Sequence, residues 1–380
     1  MRIRAAVLHE MGKPQPYAES LPLAIEELDL EGPGPGEVLV RVEAAGLCHS
    51  DLSVINGDRP RPVPMALGHE AAGVVEETGE GVADLRQGDH VVMVFVPSCG
   101  RCTRCMEGRP ALCEPGGAAN AAGSLLSGTR RLRLRGRTVQ HHMGVSAFAD
   151  HAVVARESLV RIEKNLPFDQ AALFGCAVLT GVGAVVNTAR LPAGATVAVV
   201  GLGGVGLNAL LACRLVGAAA MVAVDLQNDK LALARQLGAT HTANAGDPDC
   251  VEQVRDATGG GVEFAFEMAG SVRAMDLAYR ITRRGGTTVS AGLSHPSHDF
   301  ALKHVSLVAE ERTVQGSYIG SCVPARDVPR FVALYQGGQL PVNRVLGGRI
   351  GLAGLNAAFD RLASGQTVRQ ILIPSLAGAS

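Results

Sequence analysis

Between residues 196 and 293 short apolar runs alternate with longer amphipathic ones. "TVAVV", Thr196 to Val200, reads as an apolar strand; a glycine turn follows, then an apolar helix rich in alanine and leucine. "MVAVD" supplies a second strand, ending at Asp225. Residues 229–239 predict a helix ending at Gly238, 261–270 a strand and turn, 271–286 a helix that stops at a glycine pair, and 287–293 another strand. Alternating strands and helices imply a doubly wound parallel sheet. Residues 1–160 have a different rhythm. Valine-rich runs such as "GEVLVRVEAAG" and "GDHVVMV" are broken by Gly and Pro, which reads as a mostly β domain. The predicted class is α/β.

The glycine turn carries chemistry. Gly201, Gly203 and Gly206 form G-x-G-x-x-G between a strand and a helix, with the acidic Asp225 ending the next strand. In that context the motif is a dinucleotide fingerprint. The glycines let backbone approach a pyrophosphate, and the helix N-terminus offers N–H donors. Asp225 would accept hydrogen bonds from the adenosine ribose hydroxyls, favouring NAD over NADP. The alternative is a structural unit of the same shape without cofactor.

Composition narrows the remaining choices. The chain has 380 residues, 47% of them apolar, enough for two or three domains with large cores. Its 35 basic and 36 acidic residues nearly cancel, which argues against a nucleic-acid surface or a polybasic membrane anchor. The N-terminus lacks a signal-peptide apolar run, and no window approaches the ~18 apolar residues of a membrane span. The expectation is a soluble, cytoplasmic protein. In a reducing compartment clustered cysteines are more often metal ligands than disulfides.

Two such constellations occur. Cys99, Cys102, Cys105 and Cys113 are spaced C-x2-C-x2-C-x7-C, with Gly100, Gly108 and Pro110 suited to a loop around an ion. Four thiolates would close a tetrahedral zinc site and so hold a loop rather than bind substrate. A disulfide pair, chance clustering, or a nucleic-acid zinc module with Arg101, Arg104 and Arg109 nearby are the competing readings. Further apart, Cys48 ("GLCHSD"), His69 ("LGHEAAG") and Cys176 ("FGCAVLTG") make a Cys2His set, which would leave one tetrahedral position open, the catalytic arrangement. Sequence spacing does not prove this set, and a lone Cys176 would by default be a core residue.

Together "GHEAAG", the four-cysteine lobe, "GC" followed by "TG", and "GLGGVG" occur in the order of the zinc-containing medium-chain alcohol dehydrogenase family, which the chain resembles over nearly its whole length. The resemblance implies a GroES-like catalytic domain with two zinc sites (1–177 and 319–380) and a Rossmann NAD-binding domain (178–318). It implies that His49 and Arg369 reach the cofactor pyrophosphate, that Lys230 sits near the adenosine ribose, and that Thr180 lies by the nicotinamide. Glu70 would lie behind the catalytic metal, and Phe95 would line the pocket. Cys176, rather than glutamate, favours the alcohol branch over polyol dehydrogenases. The extended stretch 114–146 matches the longer, mostly dimeric classes, so a homodimer is expected. Within it "TRRLRLRGR" reads as a strand with one solvated basic face, an anion- or partner-binding role being the alternative.

The resemblance also implies a mechanism. Ser50 takes the hydroxyl proton of an alcohol held at zinc, hydride passes to NAD, and Asp51 fixes the His69 tautomer. Two departures stand out. The relay histidine three residues after Ser50 is replaced by Ser53. In "NGDRPRPVP", Arg59 and Arg61 stand where the glutathione-dependent formaldehyde dehydrogenases carry acids. The expected substrate is therefore a primary or aromatic alcohol or its aldehyde. The alternatives are that glutathione-dependent activity, or a zinc-stabilised binding protein without catalysis.

Overall fold

In the computed structural model, which describes residues 1–376, the valine- and alanine-rich first part pairs into two sheets. Strands Arg2–Leu8, Leu23–Leu30, Leu132–Leu134, Arg137–His141 and Met65–Ala66 close a small barrel. Its interior is filled by Ile3, Val7, Leu28, Leu30, Leu132 and Val139. Strand Leu23–Leu30 ends in the period-two alternation of a half-buried strand, with Leu28 and Leu30 inward and Glu27 and Asp29 in solvent. The second sheet runs Leu159–Ile162, His90–Met93, Ala71–Thr78, Glu37–Gly46, Ile371–Leu372, Arg349–Ile350, and His151–Ala155 also pairs with Glu37–Gly46. Strand Glu37–Gly46, buried along almost all its length, is therefore flanked on both edges and delivers the residues that follow it to a fixed place.

The arginine-rich stretch corrects one expectation. It is a hairpin, Leu132–Leu134 against Arg137–His141, turning through Arg135 (φ 50°) and Gly136 (φ 78°). A two-residue hairpin turn of this kind needs both central residues left-handed. Arg135 and Arg137 are exposed, but Arg130, Arg131 and Arg133 are not a solvated face. Arg131 donates to the buried Glu37 at 2.7 Å, Arg133 pairs with Glu31 at 3.0 Å, and Arg130 donates to Gln140 at 2.5 Å. Glu37 also accepts from Gly34 N–H and the Ser127 and Thr129 hydroxyls. A buried carboxylate must be paired, and most of its partners come from about 90 residues away.

Residues 177–322 contain the parallel sheet, in the order His241–Asn244, Ala220–Asp225, Thr196–Val200, Val262–Glu267, Thr282–Ser290, Thr313–Gly316. Every pairing is parallel. In chain order this is 3-2-1-4-5-6, the doubly wound arrangement of dinucleotide-binding folds. Helix Val272–Ile281 ends short of the expected glycine pair. Thr282 is already extended (φ −72°, ψ 131°), and its hydroxyl bonds the Ala278 carbonyl and Thr288 at 2.8 Å. A β-branched residue prefers the strand, so the strand starts there and runs through Gly285 and Gly286.

By packing, Met1–Cys176 groups with Val323–Pro329 and with residues from 346 onward, and Ala177–Cys322 groups with Arg330–Val345. Ala177 and residues 319–322 and 330–345, expected with the first group, lie in the second. Residues 377–380 of the expected C-terminal segment lie outside the described residues.

Burial opposes ionisation of Glu37, but hydrogen bonds from Thr129, Gly34, Ser127 and Arg131 prevail and hold its carboxyl below the ordinary range. A depressed carboxyl contributes stability that is present above the unfolded pKa of about 4.3 and is lost as pH falls through the folded value. Glu37→Gln should thus cost on the order of 1–3 kcal/mol at neutral pH. It should also flatten the fall of Tm on the acid side. A variant with the parent's acid profile would contradict this account.

Candidate functional site

The three candidate catalytic ligands come from three separate segments. Cys48 stands between the end of strand Glu37–Gly46 and the start of helix His49–Ile55, with the Asp51 carboxylate accepting its N–H at 3.2 Å. His69 precedes strand Ala71–Thr78. Cys176 follows the turn Ala172–Gly175. All three are buried, and their ligand atoms lie within 4.8 Å of one another. Asp51 Oδ1 is 3.0 Å from His69 Nδ1. That contact assigns the proton to Nδ1 and leaves the Nε2 lone pair for a ligand. Nε2 is buried with no hydrogen-bond partner, so this orphaned atom beside two thiols fits a metal ion.

The electrostatics agree. The hydrogen bond from Cys176 holds the Cys48 thiol well below its ordinary pKa, with Arg369 and His69 contributing, while Cys176 is pushed up by the same bond and by burial. Burial disfavours a charged His69, but Asp51 more than offsets it and raises its basicity. A nitrogen of raised basicity beside a thiol of lowered pKa is a good donor set for zinc.

Glu70 and Arg369 explain why the three segments meet. Their side chains, 0% and 4% exposed, form a buried ion pair, and Arg369 also donates to the Leu47 carbonyl at 2.7 Å. A Cβ at Gly46 would lie 1.7 Å from Glu70 Oε1, and one at Gly175 would lie 2.4 Å from the Met93 carbonyl and 3.2 Å from Glu70 Cβ. Both glycines let backbone close onto Glu70. Glu70 is not within the ligand group itself; it stands behind it, its carboxyl pushed up by burial to about 7 against the pull of Arg369. Arg369 is held in this pair, inside the first group of residues.

Around the set, Ser50 Oγ lies 3.8 Å from Cys48 Sγ, and the Phe95 ring meets His69 edge-on at 5.4 Å. His49 is exposed on the first helical turn, and Ser53 Oγ donates to its carbonyl at 2.8 Å. Sequence reading missed His142. Its ring lies edge-on to His69 at 5.7 Å, with Nδ1 3.2 Å from Asp51 Oδ1. The "QHHMG" pair was the only signal, and nothing local connects it to Asp51.

The four clustered cysteines are free thiols whose sulphurs fall within 4.8 Å of one another, Cys102 and Cys113 at 4.0 Å. That is twice a disulfide length and near the ~3.8 Å edge of a zinc–thiolate tetrahedron. Backbone N–H groups of Cys99, Cys102 and Gly116 point at the Cys113, Cys99 and Cys113 sulphurs at 3.2–3.4 Å, as around thiolates. Such bonds bring Cys102 down to about 6, and burial sends Cys105 up to about 12.

In the second group of residues the glycine turn has the shape a pyrophosphate needs. Gly201 is left-handed (φ 92°), and a Cβ there would strike Ala269 at 2.7 Å. A Cβ at Gly206 would lie 1.8 Å from the Gly201 carbonyl, whereas Gly203, capping helix Gly204–Leu215, faces open space. Asp225 accepts the N–H of Leu202 at 2.6 Å and of Gln227 at 2.9 Å, tying the strand end to the turn. Lys230 is half-buried on the following helix, Asn228–Leu237. Thr180 adjoins Gly181, whose Cβ position lies 2.3 Å from the Val205 carbonyl, so its helix rests on the glycine-turn helix.

Comparison with known proteins accords with this geometry. Residues 34–164 match the alcohol dehydrogenase GroES-like domain, and residues 204–337 match the zinc-binding dehydrogenase domain. The S-(hydroxymethyl)glutathione dehydrogenase of Paracoccus denitrificans is 35% identical, with 98% of this chain and 100% of that protein aligned. Benzyl alcohol dehydrogenase from Acinetobacter calcoaceticus superposes with a TM-score of 0.91 at 32% identity over 98% of this chain and 99% of that one. A zinc-binding dehydrogenase from Sinorhizobium meliloti 1021, solved bound to NADP, gives 0.80 at 27% identity over 98% and 100% of the two chains. The doubly wound sheet, the GroES-like match and the aligned length together make this chain an oxidoreductase of the zinc-dependent medium-chain alcohol dehydrogenase family.

Proposed function

We propose that the chain oxidises primary or aromatic alcohols, reversibly, with NAD and two zinc ions, one at Cys48, His69 and Cys176 and one at the four-cysteine lobe. The observation that carries the reading is the orphaned Nε2 of His69 beside two thiols, a three-donor set that leaves one tetrahedral position for substrate. When bound, zinc polarises the alcohol oxygen and NAD accepts the hydride. The chain's own residues do the rest. Ser50, 3.8 Å from Cys48 Sγ, is within reach of a hydroxyl at that position and takes its proton. Asp51 keeps the proton of His69 on Nδ1. Phe95 supplies an apolar wall, which suits an aromatic ring, and the benzyl alcohol dehydrogenase likeness supports that class.

The Paracoccus relative favours a second reading, glutathione-dependent formaldehyde oxidation. Arg59 and Arg61 oppose it, because cations repel the glutathione amine. Turnover of aliphatic and aromatic alcohols, and of formaldehyde with and without glutathione, separates the two. We expect alcohol oxidation that falls about 10²-fold or more in Ser50→Ala with unchanged metal content. Activity confined to formaldehyde plus glutathione supports the second reading, and full activity in Ser50→Ala removes Ser50 from the relay.

NAD is preferred because the Asp225 carboxylate ends the second strand, and no arginine follows in Leu226, Gln227 or Asn228. A 2′-phosphate near −2 charge there meets like-charge repulsion worth a few kcal/mol at an effective dielectric near 20, so the preference should be on the order of 10²-fold or greater. His49, Thr180, Lys230 and Arg369 remain proposed cofactor contacts. Asp225→Gly should weaken NAD use and narrow the gap, read as kcat/KM with each cofactor. Equal use of NADP by the parent chain would overturn the assignment.

The reading includes a homodimer. Edge strand Thr313–Gly316 is exposed at all four residues, and helix His304–Ala309 beside it buries none of its own while exposing Val305 and Val308 by 67% and 63%. An uncovered strand edge with an apolar neighbour suits pairing with a second copy. The reading also places the chain in the cytoplasm, a reducing compartment in which clustered cysteines serve as metal ligands. Sedimentation should give a dimer that Val308→Lys loosens. A parent monomer at micromolar concentration would contradict it.

A further inference from the structure

We propose that His142 is a positioning residue for the Cys48–His69–Cys176 site, acting through Asp51 on both the His69 ring and the Cys48 backbone. The inference rests on reading that set as a metal site. Asp51 is completely buried, and its two oxygens are divided with purpose. Oδ2 takes the Cys48 N–H at 3.2 Å. Oδ1 faces two imidazoles at once, His69 Nδ1 at 3.0 Å and His142 Nδ1 at 3.2 Å. His142 is 1% exposed, and its buried Nδ1 makes no hydrogen bond of good geometry, Asp51 Oδ1 being the polar atom it lies beside. A buried ring nitrogen 3.2 Å from a carboxylate oxygen that already bonds His69 limits where that carboxylate can move.

The backbone around His142 fixes the ring. His142 N–H donates to Ser146 Oγ at 2.9 Å, and that hydroxyl donates to the Ala66 carbonyl at 2.8 Å, three residues before His69. Val145 and Ser146 N–H groups return to the His142 carbonyl, closing a turn in which Met143 (φ 51°) and Ser146 (φ 53°) are left-handed. Strained backbone that is this heavily bonded holds a side chain in one place. The His142 ring then meets the His69 ring edge-on. With Asp51 Oδ1 set between the two imidazoles, rotation of His69 about its ring axis is restrained, and Nε2 stays directed at the proposed metal position.

The test uses the full chain with cobalt(II) in place of zinc. Dissociation constants come from chelator competition, followed through the d–d absorption of the mixed sulphur–nitrogen site, which differs from that of an all-sulphur site. His142→Leu removes the ring nitrogen, and His142→Gln keeps an N–H donor of similar reach. The Leu variant should bind cobalt about 10-fold more weakly, with a shifted d–d band, and Gln should recover most of both. In an Asp51→Asn background the His142→Leu change should have little further effect, because both residues act through one carboxylate. If Leu does not fold, His142→Gln measured with and without Asp51→Asn carries the same coupling test. Parent-like affinity and spectrum in His142→Leu overturn the proposal, as does an equal loss in Leu and Gln, or additive losses with Asp51→Asn. A parent chain that binds no metal at the mixed site overturns the site reading itself, a different result from a parent that loads while the variants do not differ.

Discussion

The buried pair between Arg369 and Glu70 is the constraint on which the site depends. Neither side chain is more than 4% exposed, and burying two charges is costly even when they are paired. Its consequence is positional. Glu70 follows His69 directly, Gly46 lies two residues before Cys48, and Gly175 comes just before Cys176; both glycines close on the Glu70 side chain. Arg369 binds the Leu47 carbonyl, and Gln370 takes the Leu47 N–H at 3.0 Å, so the C-terminal segment is bolted to the residue before Cys48. Three candidate ligands distant in sequence are thereby hung from one ion pair. Removing one partner of such a pair leaves a buried uncompensated charge, at about 3–5 kcal/mol.

Charge balance makes the same point from another direction. Two thiols and two carboxylates, those of Asp51 and Glu70, share a buried interior with one guanidinium. Their mutual effects are visible in the directions of the shifts: Cys48 down, Cys176 up, Glu70 up, His69 up. A divalent cation among the donors would favour ionisation of both thiols and would use His69 Nε2, which has no partner. The closed four-sulphur lobe has a different logic, since its donors are satisfied among themselves and by backbone N–H groups, so its ion would hold a loop.

What could be read from the chain was whatever is local. The strand–glycine–helix unit carries its own signal, because Gly201, Gly203 and Gly206 answer to turn geometry within six residues. The cysteine lobe is legible for the same reason. The polar interior was not. Arg131 looks like a surface arginine until Glu37, across 94 residues, accepts from it. His142 looks like one of a histidine pair until Asp51, 91 residues earlier, is found beside it. The end of helix Val272–Ile281 was displaced by the same kind of effect: Thr282 joins a strand whose neighbour, Val262–Glu267, lies earlier in the chain. Long-range pairing of polar groups leaves no periodic trace.

The central claim is that the chain holds one mixed and one all-sulphur metal site. X-ray absorption at the zinc edge of the fully loaded protein tests it directly, since it reports the average shell around both ions. Six cysteine sulphurs and one histidine nitrogen over two ions predict about three sulphurs near 2.3 Å and about one nitrogen or oxygen near 2.0–2.1 Å per zinc. A shell of four sulphurs alone would contradict the account, because it would leave His69 Nε2 without a metal and the open position without a site.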